Sequence, residues 1–177
     1  MITLVIGGPD SGKSEFAESL ADGGDYIGKY YIATMKVTDA DARARREKHL
    51  AMREGKGFET LEIPYYIDVA PELMRSPKRC VVLLECVANL VGNAMHEGEW
   101  KDRLCRGGKE AADDFLSHVI KLITDLSDAT GHLIVVSSEY ETGGPGEGED
   151  AETALYVELL HAVNMRLRRI AEKVYER

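Results

Sequence analysis

Gly7-Gly8-Pro9-Asp10-Ser11-Gly12-Lys13-Ser14 narrows the folds open to this chain more than any other stretch. Read from Gly7 it is G-x-x-x-x-G-K-S, the pattern of a loop that wraps phosphates. Its surroundings agree. Ile2-Thr3-Leu4-Val5-Ile6 is an apolar, β-branched run of buried-strand type, and Ser14 to Ala21 carries helix formers with Phe16, Ala17 and Leu20 along one stripe. A loop between a strand and a helix turns backbone N–H groups and the positive helix end toward an anion. The glycines allow close approach; at Pro9, Asp10 and Ser11 main-chain contacts matter more than side chains. Lys13 is placed to reach the β- and γ-phosphates of a nucleotide, and the Ser14 hydroxyl to hold Mg²⁺.

The 177 residues are expected to form a single nucleotide-binding domain over 1–177, long enough for a real core. The net charge of −9 argues against nucleic acid or an anionic membrane as partner. It does not exclude nucleotides, whose charge local cations and Mg²⁺ offset. Cys80, Cys86 and Cys105 form no C-x-x-C pair, which points to a reducing cytoplasm. The first strand begins at residue 2, leaving no room for a leader, and no apolar run approaches the roughly 18 residues of a membrane span.

Further strands are expected at Tyr30–Ala33, Phe58–Ile63, Cys80–Leu84 and Leu133–Val136. Helices are expected from about Asp39 to Arg53, opened by a capping box at Thr38, and weakly from Asp68 to Arg75. Others fall at Val87–His96, Lys109–Leu126 and Ala151–Lys173. In the last, Tyr156, Leu160, Val163, Leu167, Ile170 and Val174 recur at four-three spacing. Gly98 to Gly108 gives no clear signal and Trp100 within it no assignment. Glu141 to Asp150 reads as a Gly-rich acidic loop, expected to be mobile. Alternating strands and helices imply an α/β fold: three layers, a mostly parallel central sheet flanked by helices, of the RecA-like P-loop NTPase kind. Ligands of such sheets gather at the carboxyl ends of the strands. Glu85 ends one buried strand, where a second metal-linked acid belongs, and Glu139 follows another.

The helix from Asp39 is basic in an acidic chain. Arg45, His49 and Arg53 recur every four residues and share one face. Two flanking guanidiniums disfavour imidazolium, which leaves the ring neutral with a free lone pair. They can also bind phosphate oxygens in bidentate fashion. The trio suits attack by histidine on a nucleotide phosphate, although a basic helix face is more often simply solvated. His96, His118, His132 and His161 show no metal-ligand spacing and read as ordinary surface or helix histidines.

Several stretches, in order, resemble the bifunctional adenosylcobinamide kinase / adenosylcobinamide-phosphate guanylyltransferase family of cobalamin biosynthesis. They are Gly7 to Ser14, Tyr31-Ile32-Ala33-Thr34, and Arg45-x-x-x-His49-x-x-x-Arg53 running on to Phe58-Glu59-Thr60-Leu61-Glu62. Leu83-Leu84-Glu85-Cys86 with Asn89 and Asn93 follows, then Val136-Ser137-Ser138-Glu139, then Asn164 with Arg166-Leu167. The resemblance covers nearly the whole chain, with 94–130 adding little. It implies two reactions: a nucleoside triphosphate (ATP or GTP) phosphorylates adenosylcobinamide, then GMP passes from GTP through a histidine–GMP intermediate to adenosylcobinamide phosphate, giving adenosylcobinamide-GDP. It places the nucleophile at His49 and nucleotide contacts at Gly7, Gly8, Pro9, Asp10, Ser11, Gly12, Lys13, Ser14, Thr34, Arg45, Arg53, Glu62 and Glu85, with Mg²⁺ at Ser14 and Glu85. It also implies a cytoplasmic homo-oligomer, a trimer.

The chain departs from the pattern at Ala88, where a hydroxyl is usual, and at Ser138, where asparagine is usual. Family members also continue past the position of Val174-Tyr175-Glu176 into a last strand, which this chain, ending at Arg177, is expected to lack. Those departures keep two alternatives open: a small-molecule P-loop kinase without the transferase step, and a non-catalytic nucleotide-binding paralogue.

Overall fold

The computed structural model describes residues 1–140 and 150–177. Six strands form one sheet: β1 (Ile2–Gly7), β2 (Gly28–Ala33), β3 (Phe58–Glu62), β4 (Cys80–Glu85), β5 (His132–Ser138) and β6 (Lys173–Glu176). Their order is β3-β2-β4-β5-β1-β6 and every pairing is parallel. The helices are α1 (Lys13–Leu20), α2 (Ala40–Arg53), α3 (Val87–Ala94), α4 (Trp100–Arg106), α5 (Lys109–Ala129) and α6 (Ala151–Ile170). The strand before the phosphate loop and the strand ending in Glu85 are separated by β5 alone. This is the expected α/β P-loop architecture.

Side chains alternate across the strands, so each strand feeds two cores. Leu4, Ile6, Ile32, Val82, Leu84, Leu133 and Val135 pack with Leu90, Leu104, Phe115, Val119, Leu160 and Val163 from the helices of one face. Val5, Tyr31, Val81, Leu83, Ile134 and Val136 face the other way, onto Ala17 and Ala21 beside α1. Burial on both faces explains why the central strands read as unbroken apolar runs.

Four expectations change. The last helix stops at Ile170, and Lys173–Glu176 forms β6 instead of a final turn. Ala171 turns extended, the Glu172 N–H donates to the Ile2 carbonyl at 3.0 Å, and the Arg177 N–H donates to the Ile6 carbonyl at 2.9 Å. Pairing with the open edge of β1 outweighs one more helical turn, because it satisfies backbone groups on both strands. The last strand expected to be missing is therefore present. Second, the unassigned stretch holds α4, anchored by Trp100 edge-on to Phe115 with centroids 5.4 Å apart. Third, Asp39 rather than Thr38 caps α2, accepting from the Ala42 N–H at 2.7 Å. Fourth, the weak helix is a 3₁₀ stretch, Ile67–Leu73, tightened around Pro71. The Gly-rich acidic loop, 141–149, lies outside the described residues; Asp150 caps α6 by accepting from the Thr153 N–H at 2.8 Å.

His132 is also not an ordinary surface histidine. It opens β5 and is buried, with Nε2 2.9 Å from the Thr3 hydroxyl and Nδ1 2.8 Å from the Tyr26 hydroxyl. Burial pushes its pKa down; the amino terminus and Lys173 add to this and Glu172 opposes it. With the folded value below the unfolded one, near 6.5, the unfolded chain takes up a proton in acid that the folded chain refuses. Stability is therefore expected to be level above that value. Below it, stability should fall by at most about 1.4 kcal/mol per pH unit from this group. Urea melts of the parent and His132→Gln from pH 7.5 to 5 check this: the variant should lose that part of the slope, and parallel profiles would refute it.

Candidate functional site: a phosphate loop and a basic helix around one cavity

All the strands run the same way, so their carboxyl ends meet at one rim. Register fixes the neighbours there: Glu62 lies opposite Ala33, Ala33 opposite Glu85, and Ser138 opposite Gly7. The loop from Gly7 leaves this rim through Asp10 at φ 54° and Gly12 at φ 74°, then enters α1 at Lys13. Gly12 stands in the left-handed region that only glycine occupies without strain. Lys13 folds back over the loop, and its Nζ donates to the Gly8 carbonyl at 2.8 Å.

Because α1 crosses β5 toward β4, Ser14 reaches Glu85: its hydroxyl donates to Oε1 at 2.5 Å. The other carboxylate oxygen, Oε2, is buried without a partner among the described residues. A hydroxyl and a carboxylate beside a phosphate loop are hard oxygen donors of the kind Mg²⁺ takes. Among the described residues no cluster of three or more His, Cys, Asp or Glu side chains is set to hold a metal. The pair therefore fits an ion that draws its remaining ligands from phosphates and water.

α2 closes the site from above. His49 borders a cavity of about 210 Å³ whose wall also includes Lys13, Ser14, Arg46, Arg53, Glu62, Glu85 and Ser138. It also borders a more open cavity of about 360 Å³ along the loop from Asp10 to Ser14, with Lys48 and Glu18. The histidine and the phosphate loop, 36 residues apart between Lys13 and His49, thus face the same space. Arg53 is buried, its guanidinium carbon 3.6 Å from the centroid of the Tyr31 ring and its Nε without a partner among the described residues.

The remaining expected site residues fall outside that wall. Arg45 is exposed and borders neither cavity; Arg46, one residue on, takes the position and pairs with Glu62. Thr34 is buried, and its hydroxyl donates to the Cys86 carbonyl at 2.8 Å and accepts from the Cys86 N–H at 2.7 Å. It holds the end of β4 rather than lining the cavity. Asn93 ties the same region by donating to the carbonyls of Thr34 (2.7 Å) and Pro64 (2.8 Å). Glu139 pairs with Arg168 at 2.8 Å, away from both cavities. Asn164 donates to the Ser138 carbonyl at 3.0 Å and accepts from the Ser137 hydroxyl at 2.6 Å, so α6 steadies the end of β5. At the other departure, the Ala88 carbonyl accepts from the Tyr156 hydroxyl at 3.2 Å.

Sequence reasoning passed over several lining residues, Arg46, Lys48 and Tyr31 among them. Arg46 and Lys48 carried a signal, since both belong to the same basic run as His49. Tyr31 opens one of the stretches that carry the resemblance, but its type and place read simply as strand. Cys86, read as a small buried residue, also lines the cavity; burial pushes its thiol up to about 11, so it is not poised as a nucleophile.

The family model described as cobinamide kinase / cobinamide phosphate guanyltransferase matches residues 3–176. The bifunctional adenosylcobalamin biosynthesis protein CobU of Escherichia coli K12 is 38% identical over 99 residues, covering 55% of this chain and 51% of that protein. This match thus spans about half the length of the E. coli relative. The protein of the same name from Salmonella typhimurium LT2 is 28% identical over 179 residues, covering 99% of this chain and 94% of that protein. The family match runs through every element that borders the two cavities, from the first strand to the last, and the chain belongs to the cobinamide kinase / cobinamide phosphate guanyltransferase family.

Proposed function

We propose that this chain carries out both transfers named for its family, on one nucleotide-binding unit spanning 1–177. A nucleoside triphosphate first phosphorylates adenosylcobinamide. GMP then passes from GTP, by way of His49, to adenosylcobinamide phosphate, giving adenosylcobinamide-GDP. The observation that carries this reading is the shared cavity: His49 stands over the phosphate loop with Lys13, Ser14, Arg46 and Arg53 around it. A kinase alone has no need of a histidine there.

In the first transfer, the loop N–H groups and Lys13 hold the phosphate chain, and an acceptor hydroxyl attacks the γ-phosphorus as the bond to the bridging oxygen breaks. In the second, a ring nitrogen of His49 gives its lone pair to the α-phosphorus. The α–β bridging bond breaks, and pyrophosphate leaves with its electrons. Arg46 and Arg53 stand where charge on the transferred phosphate develops. An oxygen of the acceptor's phosphate then attacks the same phosphorus; the P–N bond breaks and His49 recovers its electron pair. Ser14 and Glu85 would hold Mg²⁺, which supplies charge neutralisation at the phosphates. The protein works in the cytoplasm as a homo-oligomer on this reading. In the structure itself, no helix among the described residues is long and apolar enough to cross a membrane.

Intact-mass spectrometry after incubation with GTP and Mg²⁺ tests it. One GMP adduct per chain is expected, labile in acid and absent from His49→Ala. A chain that binds GTP and forms no adduct would lose the transferase step and keep only the kinase.

A further inference from the structure

α2 carries His49 yet is lightly packed: among its described side chains only Ala42 and Arg53 are buried. A helix with so little apolar face is held by polar ties, and these set where it lies. Two of them run to one edge of the sheet. Arg46 pairs with Glu62 on β3, and Arg53 stacks on Tyr31 of β2. A third runs the other way: just past α2, the Lys56 ammonium pairs with Glu18 on α1. The Lys56 N–H donates to the Arg53 carbonyl at 3.0 Å, in a turn between Gly55 at φ 80° and Gly57 at φ 77°. Glu18 lies one turn after Ser14 on α1, and its side chain is only 11% exposed. It borders the open cavity along the phosphate loop, which His49 borders too.

We propose that Lys56 is a positioning residue for the transferase step: its pair with Glu18 ties α2 to the helix of the phosphate loop and so fixes how far His49 stands from a nucleotide held there. The proposal rests on the nucleotide reading above, with His49 as the nucleophile. The ties to Glu62 and Tyr31 lie on one side and leave α2 free to tilt about the edge formed by β2 and β3. Lys56 removes that freedom from the side of the loop. A fully exposed ion pair would be too weak for this. Here the carboxylate is nearly buried and, among the described residues, has no other hydrogen-bond partner, so releasing Lys56 leaves it costly to bury. Attack by His49 tolerates little misplacement, since a shift of about 1 Å costs on the order of 10²-fold in rate. Phosphoryl transfer to an acceptor hydroxyl takes no group from His49 and does not share this demand. Lys56 itself borders neither cavity, so it acts only through α2.

Lys56→Met keeps most of the side-chain length and removes the charge. Single-turnover mass spectrometry with GTP and Mg²⁺ follows adduct formation, and each variant's rate is divided by its own rate of adenosylcobinamide phosphorylation. Lys56→Met is expected to lower that ratio about 10- to 100-fold, with a melting temperature close to the parent's. Lys56→Arg, which keeps charge and reach, should restore most of it. The double variant Glu18→Gln with Lys56→Met separates position from charge. If Lys56 served only to neutralise Glu18 beside the phosphates, losing both charges would bring the ratio back. If it sets position, the double variant stays as low as Lys56→Met. A ratio for Lys56→Met within about twofold of the parent's, or recovery in the double variant, overturns the proposal. A parent that binds GTP but fails at either transfer would overturn the functional reading itself, and this inference with it.

Discussion

Lys13→Ala is expected to lower phosphoryl transfer by about 10²–10³-fold while leaving the melting temperature nearly unchanged. The side chain is half-buried at the cavity wall, and among the described residues its ammonium reaches only the Gly8 carbonyl. Little packing is lost with it, and surface changes of that kind stay within about 0.5 kcal/mol. The loop keeps its shape, because Gly12 and the start of α1 do not depend on the Lys13 side chain. What goes is a fixed positive charge in a partly enclosed site, where it acts on charge that grows during transfer. Since His49 borders the same cavity, formation of the GMP adduct should fall by a similar factor. Steady-state phosphorylation of adenosylcobinamide and single-turnover mass spectrometry with GTP measure the two effects side by side. A variant that loses the kinase and keeps full adduct formation would mean separate nucleotides for the two steps.

The second large effect concerns stability. A Cβ added at Gly7 would stand 2.2 Å from the Arg177 carbonyl oxygen, 3.1 Å from its carbon and 3.0 Å from the Ser11 hydroxyl. The severe contact is with backbone, so a turn of the Ser11 hydroxyl cannot relieve it. Gly7→Ala should force the end of β6 off β1. It should break the Arg177-to-Ile6 hydrogen bond and pull the Arg177 guanidinium off the Phe16 ring, now 4.6 Å away. The expected loss is about 1–3 kcal/mol, or about 2–4 °C of melting temperature for each kcal/mol in a chain of this size. Gly8→Ala is the internal control: none of the described residues lies within 4 Å of its added Cβ, and its melt should match the parent's. Equal melting of Gly7→Ala and Gly8→Ala would show that β6 does not press on the loop.

Much of this arrangement was legible because local pattern and tertiary role coincide. The octapeptide from Gly7 carries its own geometry, and the apolar runs of β4 and β5 announce strands covered on both faces. Glu85 was found because a carboxylate at the end of such a run has few structural reasons to be there. The misses share a cause. Helical steps put Arg45 about 40° and Arg46 about 60° from His49, so spacing alone does not choose between them. The choice falls to Glu62 on β3, which captures Arg46. The four-three stripe of α6 runs on through Val174, and only the open edge of β1 reveals that the chain has changed to a strand. Thr34 sits in a recognisable stretch, yet its hydroxyl spends both hydrogen bonds on Cys86. Tyr31 is an aromatic residue in a buried strand, and a core role predicts the same residue. Its place beneath Arg53 depends on how α2 lies over the sheet, which no local pattern records.

The order of strands also bears on synthesis. β1 leaves the ribosome before the other five strands of the sheet, yet its partners are β5, with Ile2 opposite Leu133, and β6, with Thr3 opposite Lys173. Pairings that distant in sequence close large loops and form slowly. Until β5 has emerged, the phosphate loop hangs from a strand with no neighbour on either side. Nucleotide therefore cannot act as a template for the early chain; it can only reward a chain that is nearly finished.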